Sequence, residues 1–311
     1  MNSHLTAVTS PSWGEIIRAL GRRGADYRHA RSFGHRCSNG CLGTAVLHSK
    51  FFLFSHANRA RDTVMVGSTN MARNATKIQW NDLYTVNGNP TFYSQYRSVF
   101  EAMAPDRRGP GPRVYRTGPY TSTFYPFRGA TRKTDRTMRD LRSIRCAHAT
   151  GGSGIAGHSV VYVAMHSWFG VRGGYLADRI RQMYDRGCYV RILYSFMGLG
   201  IYSRLTYGTG PRMVARRVLF PGPRGIVADK YAHLKMYAAS GNVAGDRSSW
   251  VVWTGSNNFT DKGPHADEVT LRIRSHSVYQ PYVQHWKLME HRRSSPYWAV
   301  FAEPLGGGRA P

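Results

Sequence analysis

The chain of 311 residues carries 43 Lys and Arg against 17 Asp and Glu, a net charge of +26, with 41% hydrophobic and 13% aromatic residues. That content fits a globular chain of two domains, or one large domain in two halves, and excludes a disordered one. No stretch approaches the ~18 apolar residues of a spanning helix, no basic segment followed by an apolar one marks a secretory signal, and four cysteines are too few for a disulfide scaffold.

In chain order, residues 15–24 read as a helix leading to a short strand at 27–30. Three β-rich runs follow, 48–55, 63–68 and 82–86, separated by turns rich in Asn, Gly, Asp or charge. Residues 91–103 repeat aromatic and aliphatic side chains every three or four positions, the helical spacing. Beyond a basic, aromatic stretch, residues 160–169 predict a strand, 175–187 a helix and 189–195 another strand. That β-α-β order calls for a mixed sheet with helices on both faces. Strands at 233–239, 250–256 and 268–273 and a helix over 278–293 complete the series.

The later run repeats the earlier one. His48-Ser49-Lys50 returns as His233-Leu234-Lys235, 185 residues on, and Gly67-Ser68-Thr69-Asn70 as Gly255-Ser256-Asn257-Asn258, 188 on. Asp82 matches Glu268 and Tyr93 matches Tyr279, both 186 on. Four landmarks in one order at nearly one offset indicate a tandem duplication. The chain divides into a first half, 1–104, a basic aromatic join, 105–145, and a second half, 146–311. The second half's opening strand starts 73 residues before His233, but only 47 residues precede His48, so the first half is expected to lack that strand.

Net charge is +7, +8 and +11 in the three segments, densest in the join. A field positive throughout favours phosphate-bearing partners, phospholipid surfaces or nucleic acid, without choosing between them. The skew to 36 Arg over 7 Lys is also what GC-rich coding produces. In the join, Arg113, Arg116, Arg128 and Arg136 mingle with Tyr115, Tyr120, Phe124 and Phe127. These aromatics either stack bases beside a phosphate-tracking groove or pack the crossover onto the sheet.

Two His-x-Lys pairs, each followed by Gly-Ser-x-Asn, resemble the phospholipase D superfamily over both halves, from about residue 14 to 295. The runs 167–173 and Ala266-Asp267-Glu268 resemble its secreted actinobacterial members. The resemblance implies an α/β fold of two tandem repeats, each a mixed β-sheet flanked by helices, packed about a pseudo-twofold axis. It implies a phosphodiesterase that hydrolyses phospholipid head groups through a phosphohistidine, with no cofactor and no metal. The alternatives are a metal-independent nuclease of the same superfamily and a non-catalytic lipid- or nucleic-acid-binding relative. Imidazole suits both roles, because a pKa near 6.5 leaves one ring neutral and its partner protonated at modest cost.

By analogy His48 is the nucleophile and His233 the general acid, though the sequence would look the same with the roles exchanged. Lys50 and Lys235 lie two residues further along, hence on the same face, and clamp the phosphoryl oxygens. Asn70 and Asn258 donate further hydrogen bonds. Asp82 and Glu268 occupy positions from which the family orients each imidazole across the two halves, with Ser68 and Ser256 as supporting residues. Ser55 and Ser240 replace the Asp with which the family motif commonly continues, as in the tyrosyl-DNA phosphodiesterase branch. The expected partner is a phospholipid or membrane surface, with nucleic acid as the alternative, for a secreted monomer without an obligate protein partner. The short first half fits an N-terminally shortened version of such an enzyme. Local pairing of Cys37 with Cys41 and of Cys146 with Cys188 suits export. A zinc site using Cys37, Cys41, His29 and His35 is the competing reading.

Overall fold

The computed structural model describes residues 11–20, 32–109, 111–221 and 228–294. The strand expected over 27–30 lies outside them. The first half contains helix α1 (Pro11–Leu20), strands β1 (Phe51–Ala57) and β2 (Ala60–Gly67), helix α2 (Arg73–Lys77), strands β3 (Gln79–Trp80) and β4 (Leu83–Val86), and helix α3 (Pro90–Met103). The join supplies a hairpin, β5 (Arg113–Thr117) and β6 (Tyr120–Phe124), then helix α4 (Arg136–Ser143) and β7 (Ile144–Arg145). The second half runs β8 (Val160–Trp168), α5 (Gly170–Asp185), β9 (Tyr189–Met197), α6 (Leu199–Thr206), β10 (Met213–Arg217), β11 (Leu219–Pro221), β12 (Ala228–Ala232), β13 (Lys235–Val243), β14 (Asp246–Gly255), β15 (Val269–Arg274) and α7 (His276–Ser294).

The fold is α/β, centred on a nine-stranded mixed sheet of order β10-β9-β8-β13-β14-β15-β6-β5, with β7 paired to the far end of β13. Strands β8, β9 and β10 are parallel and the rest antiparallel. All nine residues of β13 are buried, because helices cover both faces, as a near-continuous apolar strand requires. On one face α5 packs Leu176, Ile180 and Met183 against Val163, Met165 and Trp253. On the other, α7 packs Tyr279, Val283, Trp286 and Met289 against Ala164, Met236 and Val252.

Only the second half matches the expected mixed sheet. The described residues of the first half form an antiparallel sheet, β1-β2-β4, while the short β3 joins β12 in parallel in a small third sheet, β11-β12-β3. Parallel pairing needs helical crossovers, and among the described residues those lie in the second half. Val64, Val66 and the α3 residues Phe92, Tyr96 and Val99 share a core with Phe124, Val269, Leu271 and Ile273, so the join and both halves meet in one apolar cluster.

Helix α5 begins five residues before the periodic stretch that predicts it. Its first turn is capped from a distance: the Asp261 carboxylate accepts from the backbone N–H groups of Val171 and Arg172, at 3.3 and 2.7 Å. Of the join's aromatics, Phe124 and Tyr125 are buried and Tyr115 and Tyr120 pack against the core, while Phe127 is half-buried beside Arg136. Both cysteine pairs are disulfides, Cys37–Cys41 and Cys146–Cys188. The grouping His35, Cys37 and Asp106 therefore lacks the thiolate that the zinc reading needs.

Candidate active site

Each histidine stands just ahead of a strand, on backbone hydrogen-bonded to the other half. The His48 N–H donates to the Asp267 carbonyl at 3.0 Å, and the His233 N–H to the Trp80 carbonyl at 2.8 Å. Leu47 pairs in parallel with Asp267, and Ala232 with Trp80. The two crossings thus place Trp80 and Asp267 in equivalent positions. The residues after them, Asn81 and Glu268, reach the imidazoles: His48 Nδ1–H donates to the Glu268 carboxylate at 2.9 and 3.0 Å, and His233 Nδ1–H to Asn81 Oδ1 at 2.8 Å.

Asp82 is therefore not the partner of His233, contrary to the sequence expectation. It falls one position too late and turns away, accepting from Thr254 Oγ1, from the Tyr282 hydroxyl at 2.9 Å and from the Ser68 N–H at 3.2 Å. Its equivalent is Val269: the Ser68 N–H donates to the Asp82 carbonyl at 3.1 Å, and the Ser256 N–H to that of Val269 at 2.9 Å. Each serine hydroxyl accepts the N–H returning from that same residue, at 3.0 Å in both cases. The glycines before them are required by close approach. A Cβ on Gly67 would lie 2.2 Å from the Asp82 carbonyl oxygen, and one on Gly255 2.1 Å from that of Val269.

Ser68 also donates its hydroxyl proton to Asn81 Oδ1 at 3.1 Å, and the Asn81 amide donates to the Ala75 carbonyl at 3.0 Å and to Gln79 Oε1 at 3.2 Å. This network fixes which end of the amide faces His233. The side chains of Lys50, Lys235, His233 and Glu268 are buried, while His48 retains 26% exposure. Lys50 donates to the His48 carbonyl, and Lys235 to the His233 carbonyl at 2.7 Å and to its Nε2 at 2.9 Å. Asn258 accepts from the Ser167 N–H at 3.1 Å through Oδ1, leaving its NH₂ free to donate. Asn70 is half-buried beyond the end of β2 and makes no side-chain hydrogen bond among the described residues.

A third imidazole joins the cluster without having been anticipated. His166, near the end of β8, lies 4.7 Å from His233 between ring centroids and donates Nδ1–H to the Ala232 carbonyl at 3.1 Å. A lone histidine in an apolar strand carries no sequence signal that distinguishes it from a structural one.

The electrostatics are those of an under-compensated cationic site. Burial pushes His48 below its usual pKa, against the pull of Glu268. Burial, then Lys235 and His166, push His233 down further. Burial and Lys235 lower His166 to about 3. Burial lowers Lys50 to about 8 in spite of Glu268, and burial plus repulsion from Lys50 lower Lys235 well below the usual ammonium range. Each of these shifts favours a neutral base, and an arriving anion would relieve them.

Asp267 and Arg172 brace the surroundings. The buried Asp267 carboxylate accepts the N–H groups of Cys41, Leu42 and Gly43 at 2.5, 3.1 and 2.7 Å, holding the first-half loop against the second half. Buried Arg172 bonds Asp135 at 2.7 Å, Asn257 Oδ1 at 3.3 Å and the Asn258 carbonyl at 2.5 Å.

No family model matches the chain, and no curated protein does. Some solved structures are distantly similar. A phospholipase D family member, Nuc from Salmonella typhimurium, is 15% identical over 58% of this chain and 95% of its own, with a TM-score of 0.36. NucT from Helicobacter pylori is 14% identical over 55% of this chain and 96% of its own, with a TM-score of 0.34. Polyphosphate kinase from Porphyromonas gingivalis is 10% identical over 84% of this chain, which spans 34% of that protein, with a TM-score of 0.48.

Proposed function

We propose that the protein is a phosphodiesterase that works through a phosphohistidine. The observation that carries this reading is the pair of imidazoles, each held by a side chain from the opposite half, with a buried lysine two residues beyond each. The matched crossings and serine turns also support a tandem duplication about a pseudo-twofold axis, comprising halves 1–104 and 146–311 with 105–145 as the join.

The difference between the two partners supports one assignment of the roles. Attack by Nε2 of an imidazole on phosphorus leaves positive charge on the ring, which a carboxylate at Nδ1 stabilises. His48 has that carboxylate in Glu268, so His48 is the nucleophile. His233 leans on a neutral amide, which stabilises its imidazolium less and makes it the better proton donor. In the first step the His48 Nε2–P bond forms, the P–O bond to the leaving alcohol breaks, and His233 gives that oxygen its proton. In the second, neutral His233 takes a proton from water as it attacks phosphorus, and the P–N bond breaks. Lys50 and Lys235 neutralise the non-bridging oxygens, with the Asn258 amide as a further donor. Hydrolysis of a phospholipid head group and of a nucleic-acid backbone share these steps and differ in the alcohol expelled.

The test is to trap the intermediate. Acid-labile, base-stable phosphate should appear on the chain during turnover of a labelled diester in EDTA, and His48→Ala should abolish it. His233→Ala should slow turnover by about 10²–10⁴-fold, the usual share of a general acid. Wild-type turnover with no trapped phosphoenzyme, or equal labelling of His48→Ala, would overturn the mechanism.

A further inference from the structure

Helix α4 is eight residues, about 12 Å, long and packs Met138 and Leu141 into the core it shares with α5. Its first turn is tied to the catalytic end through Asp135, Arg172 and Asn258. Its last residue, Ser143, accepts from the Ala244 N–H at 2.8 Å beyond the end of β13, and Arg145 pairs with Asn242. Asn242 is seven residues along β13 from Lys235, about 23 Å at strand rise. The helix and its flanking residues Asp135 and Arg145 therefore link the Arg172–Asn258 contact to the far end of β13.

Its outward side is basic. Arg136, Arg139 and Arg142 recur every three residues, neighbours on a helix surface, and Arg145 continues the series. Arg136 is half-exposed and the other three are exposed. Arg136 and Arg139 line one hollow with Lys133, and Arg142 forms the wall shared with a second. The second hollow, of about 480 Å³, is ringed by Arg142, Arg145, Arg179, Arg186 and Arg247, with no carboxylate in its lining. Among the described residues, Arg142 donates only to the carbonyls of Lys133 and Arg132, and Arg179 only to those of Leu141 and Ile144. The acids nearby are engaged elsewhere: Asp140 of α4 faces Tyr237, and Asp178 pairs with Arg132 and Arg204. Burial and repulsion from Arg186 and Arg142 hold Arg179 below its usual pKa, as expected of a cation lacking its counter-ion.

We propose that this face of α4 and the hollow beyond it form a track for a nucleic-acid strand, gripped through its phosphates. The proposal names a substrate class for the phosphodiesterase reading and rests on that reading only for the chemistry at the track's catalytic end. A polymer with regularly spaced charges can engage arginines along the whole helix. A flat membrane seated on the far hollow would instead hold head groups about 23 Å from the lysines. Phosphate contacts carry no sequence information, so binding should be largely indifferent to sequence, with the half-buried Phe127 lining the first hollow beside the track.

The experiment measures binding of a labelled single strand of about 30 nucleotides to the full chain at several salt concentrations, beside hydrolysis of bis(p-nitrophenyl) phosphate. The triple variant Arg139→Gln, Arg142→Gln, Arg145→Gln should lose at least tenfold in strand affinity. Its log–log salt slope should flatten by about 2, at ~0.7 per lost phosphate contact on single strands. Hydrolysis of the small diester should stay at the wild-type rate. The double variant Arg139→Gln, Arg145→Gln keeps Arg142 on its carbonyls and should show about two-thirds of the slope change. Unchanged affinity and slope would overturn the track, as would a wild-type chain that binds no strand. Loss of binding to phosphatidylserine vesicles with strand binding intact would overturn it in favour of a membrane surface. If the wild type binds strands but hydrolyses no diester, the phosphodiesterase reading fails and the track stands.

Discussion

At the scale of single residues, the two imidazoles are distinguished by one atom on each partner. Glu268 offers a charged oxygen where Asn81 offers a neutral one, so His233 has no carboxylate partner to offset the burial and the nearby cations that lower its pKa. Replacing Asn81 with Asp puts a negative charge 2.8 Å from the His233 ring nitrogen and favours the imidazolium. The alkaline limb of kcat against pH should therefore move up by about one unit or more, and turnover below it should fall, since a weaker acid protonates the leaving oxygen less readily. An unmoved limb would remove His233 from the role of proton donor. The pairs His48/Lys50 and His233/Lys235 were legible in the sequence because the spacing is local and repeated. Asn81 was not: a carboxylate one residue later fits the expected chemistry, and only the backbone register of the crossing shows that its equivalent is Val269. His166 was hidden for another reason, since its proximity to His233 arises from the pairing of β8 with β13, which no local pattern encodes.

Elements are held in place around the centre by buried charges. The Asp135 carboxylate caps α4 through the Thr137 N–H at 2.8 Å, binds Arg172 and accepts from the Tyr175 hydroxyl at 2.6 Å. Arg172, Tyr175 and the Thr137 N–H hold Asp135 below its usual carboxylate range despite its burial. Because the pair is nearly free of solvent, removing one member leaves the other buried and unpaired. Asp135→Asn should lower unfolding stability by about 3 kcal/mol in urea titration, and a loss under about 1 kcal/mol would mean the arginine finds another partner. The strands β1, β2, β4, β8, β9, β13, β14 and β15 and the helices α3 and α7 could be placed from the sequence pattern, whereas β3, β5–β7 and β10–β12 could not. The start of α5 could not, because its cap, Asp261, lies some ninety residues further along the chain. The join's aromatics remained ambiguous in the sequence, as stacking and packing demand the same residue types; the sheet extension β5–β6 takes Tyr115, Tyr120 and Phe124 toward the core.

Across the whole molecule, the depressed imidazoles make stability depend on acidity. His48, His166 and His233 stay neutral in the native state below the pH at which unfolded imidazoles take up protons, near 6.5. The unfolded chain then holds more protons, so their contribution is complete above pH 6.5 and is lost as pH falls toward about 3. Asp140, raised by burial to about 6, works in the opposite sense, since the native state takes its proton first. Replacing His166 with Gln should flatten the fall in urea midpoint between about pH 6 and 4.5, by about 1.4 kcal/mol per pH unit once converted to free energy. An unaltered slope would place the acid sensitivity in other groups.

The mismatch between Glu268 and Asn81 also gives the molecule a handedness in time. Two lobes built to one plan would let a bound diester be cut from either side, with equal amounts of both possible products. Under the proposed mechanism, with one lobe keeping a charge and the other an amide, the alcohol departs past His233 and the same side later admits water. On a polymer that binds in one direction only, a cut made this way would leave the phosphate on one kind of terminus alone.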